Sequence, residues 1–385
     1  MPLKAPMPIQ TDQTTLASML KQAGYTTGVV GKWHLGLGDG DVDWNGKITP
    51  GPLEIGFDYC FLIPATGDRV PCVYVENHHV VGLDPADPLE VSYEGKVGDE
   101  PTGKENPELL KMMYSHGHDM TIVNGISRIG YMAGGKSARW NDETMADVIA
   151  GKAVAFIEKN KEKPFFLYFS THDIHVPRVP HPRFVGTSQT GTRGDVIHQM
   201  DYCVGEVLDS LDRLKLADNT LVIFSSDNGP VLDDGYADGA VEDLNGHDQN
   251  GPLYGGKYSR YEAGTRVPML VRWPGKIAHG TSDALVCQVD FLASFAAMVG
   301  AQIPEGQAPD SENTIDALLG KSPNGREVLV EQGRDLALRH GTWKFFPTPV
   351  TATTGTEVPE HAKGQKTLLY NLDKDLGETT NVAPE

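Results

Sequence analysis

Residues 163–177 read KPFFLYFSTHDIHVP, and the fold turns on how this stretch is parsed. Pro164 breaks the chain, and Phe165-Phe166-Leu167-Tyr168-Phe169 is a continuous apolar run. Such a run suits a short strand covered on both faces in a parallel sheet. It stops at once in a polar loop, Ser170 to His175, that carries two histidines and an aspartate. Pro177 forces the residue ahead of it into an extended shape. In open α/β sheets, ligands sit beyond the carboxyl ends of the strands.

The same pattern recurs on either side. Thr14 to Ala23 predicts an amphipathic helix, with Leu16, Met19, Leu20 and Ala23 on one face and Gly24 as its stop. A strand over Thr26 to Val30 then empties into Gly31-Lys32-Trp33-His34. Asn141 to Asn160 and Asp195 to Leu216 read as helices, the second with Ile197, Met200, Val204, Val207, Leu208 and Leu211 inward. Thr220 to Phe224 reads as another buried strand, ending in Ser225-Ser226-Asp227-Asn228-Gly229, and Val267 to Val271 as a further one. Three strands ending in loops of His, Asp, Asn or Lys are expected to build one site at one sheet edge.

The expected fold is therefore α/β, a mostly parallel central sheet flanked by helices over residues 1–319. Residues 58–140 are rich in Gly, Pro and Asp and read as an insertion over that edge. Short strands after residue 320 predict a small antiparallel C-terminal subdomain, 320–385.

Composition narrows the function. The charge balance of 33 − 52 = −19 repels polyphosphate, so nucleic acid is an unsuited partner. There is no run of 18 apolar residues, so no membrane span is expected, and the N-terminus lacks the apolar stretch of a signal peptide. The four cysteines, at 60, 72, 203 and 287, form no C-x-x-C pair. Cys60 and Cys72 could pair as a disulfide, but four buried thiols is the favoured expectation.

The polar loops carry specific chemistry. Asp227 and Asn228 offer a carboxylate and an amide oxygen, a donor pair for a hard cation, although Asp-Asn-Gly is also good turn chemistry. Lys32 and His34, two apart, can point to one side, where they would hold an oxyanion and move a proton. His175 sits on stiffened backbone. Lys257 follows two glycines that allow close approach to a ligand. Glu262 and Arg266 are expected to brace their loop.

Taken together, GYTTGVVGKWHLG (24–36), HDIHVP (172–177), SDNGP (226–230) and GGKYSRYEAGTRVPMLVRWPG (255–275) strongly resemble the sulfatase family of the alkaline-phosphatase-like superfamily. LYNLDKDLGETTNV (369–382) is similar to the family's C-terminal signature. The resemblance implies that Asp227 and Asn228 are two ligands of Ca²⁺, with Mg²⁺ the alternative. It implies that Lys32 bridges the nucleophile and the sulfate, that His34 hydrogen-bonds the nucleophile and helps release sulfate, and that His175 and Lys257 contact the sulfate and serve the leaving oxygen. The implied substrate is a sulfated carbohydrate or a small aryl sulfate. The long insertion favours the sugar, with Asp68, Arg69, His116, His118, Arg128, Trp140 and Arg178 as polar groups that could meet it. A periplasmic or extracellular location is expected for an intact family member.

The sequence departs from the family in one respect. The implied formylglycine nucleophile comes from a C/S-x-P/A-x-R motif, and no cysteine or serine here lies in one. The strand with two calcium-binding aspartates is also missing. The expectation is a chain lacking roughly the first hundred residues, and with them an inner strand and half of the metal shell. Two rivals follow: a catalytically incompetent fragment or pseudo-enzyme that binds a sulfated sugar, and a phosphohydrolase of the same superfamily. Asn228, where a two-metal site would place a histidine, favours a hard ion over zinc.

Overall fold

The computed structural model describes residues 6–352 and 356–383. The chain divides into two compact units, one of residues 1–216, 235–245 and 299–309, the other of 217–234, 246–298 and 310–385.

The first unit is built on a five-stranded mixed sheet. Its strand Thr26–Lys32 pairs in parallel with Tyr59–Ile63, the middle strand, on one side and with Phe165–Ser170, an edge strand, on the other. Val75–Glu76 and His79–Val80 extend it antiparallel beyond Tyr59–Ile63. Val29, Val30, Cys60, Leu62 and Ile63 are fully buried on this sheet, each apolar side chain contributing about 1.5–3 kcal/mol. Tyr59–Ile63 thus belongs to the main sheet, not to an insertion. The rest of that region forms small two-stranded ribbons, such as Glu90–Ser92 with Tyr131–Ala133.

Helix Leu16–Gln22 starts at Thr15, whose side chain accepts from the Ser18 N–H while Ser18 Oγ accepts from the Thr15 N–H. Helix Met145–Asn160 buries the expected face of Met145, Ile149, Ala153, Phe156 and Ile157. Helix Gly191–Arg213 begins four residues before Asp195. Its fully buried apolar positions are Val196, Cys203 and Leu211, while Ile197, Met200, Val204 and Leu208 are half-buried. The two stripes lie about one residue apart around the helix, a distinction that periodicity alone does not make.

Phe165–Ser170 is not covered on both faces. Among the described residues it pairs only with Thr26–Lys32, and Tyr168 is 45% exposed. An apolar run reports hydrophobicity, not the number of neighbours. All four cysteines are free thiols; Cys60, Cys72 and Cys203 are buried.

In the second unit, Val222–Ser225 pairs antiparallel with Met269–Arg272 as a separate two-stranded sheet. This corrects the expectation of a further parallel strand: an apolar run fixes burial but not direction. Leu270 there is 64% exposed. The expected C-terminal antiparallel sheet forms from Val328–Gln332, Leu336–His340, Trp343–Phe346 and Leu368–Asn371, in sequence order. It lies within this larger unit rather than standing alone. Beside it Lys344 is fully buried, with Nζ 2.8 Å from Glu262 Oε1, 2.7 Å from Glu331 Oε2 and 3.7 Å from Glu378 Oε1. Arg266 and Arg339 approach Glu262 Oε2 at 3.4 and 3.5 Å, so Glu262 braces its loop as expected.

Candidate active site

In the first unit, the parallel pairing of Thr26–Lys32 with Phe165–Ser170 brings two polar loops to the same edge. Lys32 ends one strand, and its carbonyl accepts from Ser170 Oγ, at the end of the other, at 2.5 Å. Gly31 permits this closeness: a Cβ there would lie 1.8 Å from the Ser170 carbonyl oxygen, and its φ is +115°. His34 follows with a left-handed backbone, φ +53°, held by its N–H on the Pro64 carbonyl and by the Trp33 N–H on Ile63.

The loop after Tyr59–Ile63 then organises the histidines one residue at a time. Gly67 donates its N–H to His172 Nε2 at 3.0 Å. A side chain at Gly67 would collide with that nitrogen at 2.3 Å. Asp68 accepts from His118 Nε2 at 3.0 Å, and Arg69 Nη1 donates to His34 Nε2 at 2.9 Å. Arg128, fully buried, clasps Asp142 and donates to the Gly67 carbonyl, fixing the loop from behind.

These contacts assign protonation by donor chemistry. An amide N–H and a guanidinium only donate, so His172 Nε2 and His34 Nε2 are acceptors and both rings are neutral. Burial, helped by neighbouring positive charge, pushes His34 down to about 4 and His172 down to about 3. His118 faces a carboxylate with one nitrogen and the His116 carbonyl with the other, at 2.7 Å, so it donates from both. Burial disfavours the Asp68 carboxylate, but the His118 hydrogen bond and neighbouring positive charge outweigh this and hold it well below the usual range. His175 uses Nδ1 on the Val176 carbonyl at 2.8 Å. Ile174, just before it, has φ +72°.

The remaining expected contacts are placed unevenly. His116 is exposed, beside Ser115 Oγ at 3.0 Å. Arg178 is 2% exposed with Nη1 on Asp238 Oδ2 at 2.8 Å, so a substrate contact by its side chain would require that pair to open. A pocket beside them is lined by His172, Asp173, His175, Arg178 and Gln199 among others. Burial pushes Asp173 there up to about 6, while Gln199 donates to it at 2.6 Å.

In the second unit, Asp227 and Asn228 follow the Val222–Ser225 strand. Gly229 N–H donates to Gly264 at 3.0 Å and Lys257 N–H to Pro230 at 2.8 Å, tying this loop to the Gly255-Gly256-Lys257 turn. Lys257 Nζ lies 2.6 Å from Asp234 Oδ2, and Tyr258, at φ +73°, places its hydroxyl 3.4 Å from Asp234 Oδ1. Sequence reading missed Asp234 and Gly67, and read Asp68 as a sugar contact instead of the partner of His118. Their partners lie 23, 105 and 50 residues away, and no spacing rule reaches that far.

A carboxylate and an amide oxygen suit a hard cation in kind, but such an ion takes six to eight oxygens. Among the described residues no group of three or more His, Cys, Asp or Glu side chains gathers to hold a metal. The residues present thus fit part of a shell only. Among the described residues no helix is long and apolar enough to cross a membrane.

Comparison with known proteins gives a consistent picture. A family model described as sulfatase matches residues 3–301. The N-acetylgalactosamine-6-O-sulfatase of Bacteroides thetaiotaomicron is 56% identical over 381 residues, 98% of this chain and 75% of that protein. Human arylsulfatase A is 30% identical over 386 residues, 96% of this chain and 67% of that one. A solved sulfatase structure from glycosaminoglycan metabolism in Bacteroides thetaiotaomicron superimposes with a TM-score of 0.94 at 55% identity, covering 99% of this chain and 81% of that one. A sulfatase structure from a Pseudoalteromonas species, at 21% identity and a TM-score of 0.66, shares the fold.

Proposed function

The chain belongs to the sulfatase family, and from that premise we propose that it acts on a sulfate ester of a carbohydrate. A 6-O-sulfated N-acetylgalactosamine is the first substrate to try, because that is what the 56%-identical relative is named for. The observation that carries the reading is the edge shared by Thr26–Lys32 and Phe165–Ser170. There Lys32 and Arg69 supply positive charge while His34 and His172 stay neutral. Fixed cations beside neutral imidazoles suit a tetrahedral anion whose charge shifts during reaction.

Each residue then has a definite task. Lys32 neutralises a sulfate oxygen. His175 has spent Nδ1 on a carbonyl, so proton delivery to the leaving alcohol oxygen falls to its Nε2. Lys257, kept as an ammonium by Asp234, has the charge that a sulfate oxygen calls for. Exposed His116 meets the sugar. Asp227 and Asn228 supply two oxygens of a Ca²⁺ shell, with Mg²⁺ the alternative. A divalent ion held there would act as a Lewis acid, although these two oxygens make only part of its shell. The family's formylglycine has no motif in this sequence.

That missing motif favours one second reading, a chain that binds sulfated sugar without turning it over. The test is sulfate release from N-acetylgalactosamine 6-sulfate, with the 4-sulfate, an aryl sulfate and a phosphate monoester as comparisons, each with added Ca²⁺. Calorimetry on the same ligands runs alongside. Release selective for the 6-sulfate supports hydrolysis. Binding without release supports the second reading. Neither, or faster release from the phosphate ester, overturns the proposal.

A further inference from the structure

Arg69 has an unusual partner. Its neighbour Asp68 is turned away to His118, and among the described residues Arg69 forms no carboxylate ion pair. Its Nε is buried without a hydrogen bond. The contact made by its guanidinium is with His34 Nε2, at 2.9 Å. The backbone holds this aim from both sides: Arg69 N–H donates to Thr66, Ile129 N–H donates to Asp68 at 2.7 Å, and Val70 N–H donates to Ile129 at 3.1 Å. Tyr93 also donates to the Val70 carbonyl.

We propose that Arg69 is a positioning residue that acts through His34, fixing the ring with Nε2 as acceptor and leaving Nδ1–H as the face offered to a reacting group. A guanidinium has five N–H groups and no lone pair to share, so this contact has one polarity. It excludes the tautomer with hydrogen on Nε2, and it excludes the imidazolium. Burial is the largest influence on His34. The charges facing it are Arg69, Lys32 and His175, which disfavour a second proton, and Asp68, which favours one. Lys32, on the same loop, cannot choose between the two ring nitrogens, whereas a hydrogen bond to one of them does. The consequence is a histidine that stays neutral and offers a reacting group one hydrogen bond, donated from Nδ1–H. Arg69 thereby contributes to the rate of the step that uses His34 rather than to substrate capture.

The inference rests on the reading of His34 as a reacting group, but its first test does not. In the full chain labelled with ¹⁵N at histidine, His34 is identified by the signal lost in His34→Gln. The expected wild-type spectrum has an acceptor-type Nε2, a protonated Nδ1 and a titration midpoint near 4. Arg69→Met should raise the midpoint by about 1–2 units and mix the two tautomers. Arg69→Lys, which keeps a charge and a donor, should restore much of both. Where turnover is measurable, Arg69→Met should lower kcat and move the acidic limb of the profile upward, with KM little changed. A titration unmoved in Arg69→Met, or a raised KM at constant kcat, overturns the proposal and returns Arg69 to substrate contact. If Arg69→Met does not fold, the tautomer in the wild type and in Arg69→Lys decides the matter. If the chain proves inactive, the titration still stands, so the two failures are told apart.

Discussion

Asp234 Oδ2 holds the ammonium of Lys257 at 2.6 Å. Both side chains are largely shielded from water. Burial by itself would push Lys257 down, but the charge and hydrogen bond of Asp234 outweigh it and keep the ammonium above its ordinary value. Asp234→Asn should reverse that balance. The alkaline limb of kcat/KM should then move to lower pH, with a loss of about tenfold or more near pH 9. Rates measured between pH 6 and 11 check this. A uniform loss at every pH would mean that Asp234 is only structural.

Asp227 and Asn228 lead to a metal prediction. Chelation with EDTA should lower activity, and Ca²⁺ should restore it better than Zn²⁺, because both donors are hard oxygens. Asp227→Asn removes the only formal charge of the pair and should weaken apparent Ca²⁺ affinity about tenfold or more. Calorimetric Ca²⁺ titration of both proteins gives the comparison, and equal affinities would remove Asp227 from the shell.

Glu378 predicts a pH dependence of stability. Burial pushes its carboxyl up to about 8 even though Lys344 is close and the Glu262 N–H donates to it at 2.6 Å. Between about 4.5 and about 8 the folded chain therefore binds a proton that the unfolded chain has released. This contribution is fully present below the lower value and is lost as pH rises through the upper one. Glu378→Gln keeps the neutral shape and should flatten the decline in melting temperature across that window. An unchanged slope would show that Glu378 is ionised throughout.

Asp142 tests the loop that aims the histidines. It is the carboxylate for fully buried Arg128, with contacts of 2.9 and 2.8 Å, and Arg128 also holds Gly67. Asp142→Ala leaves a buried guanidinium without a counter-ion, at a cost of about 3–5 kcal/mol. Urea unfolding measures the loss. A change below about 1 kcal/mol would mean that Arg128 finds another partner.

Much of the fold was legible because strong signals coincide. Phe165–Ser170 carries an apolar run between a proline and a polar loop, and Leu16–Gln22 carries both a capping residue and a helical stripe. Tyr59–Ile63 was lost because an equally apolar run sits among glycines and prolines, whose turn signal dominates the window. The direction of Val222–Ser225 was lost because pairing is decided by a partner 47 residues on, Met269 to Ser225 being 44 apart and Val222 to Arg272 being 50. At the candidate site, Lys32, His34, His172 and His175 stood out because each lies at the end of a strand or in the loop just beyond it. The groups that set their protonation could not. Asp68 and Arg69 read only as polar groups for a sugar, and Gly67 not at all, until the fold brings His118, His34 and His172 against them.

Among the described residues, three of the nine non-glycine residues with left-handed backbones fall at or beside candidate site residues: His34 itself, Ile174 just before His175, and Tyr258 just after Lys257. Each conformation costs on the order of 1–3 kcal/mol locally and persists only because surrounding structure overrules it. Shape at these points is thus borrowed from the scaffold instead of being induced by whatever binds. On gentle warming, the borrowed geometry should relax while the sheets are still intact, so catalytic competence should fade several degrees before cooperative melting begins.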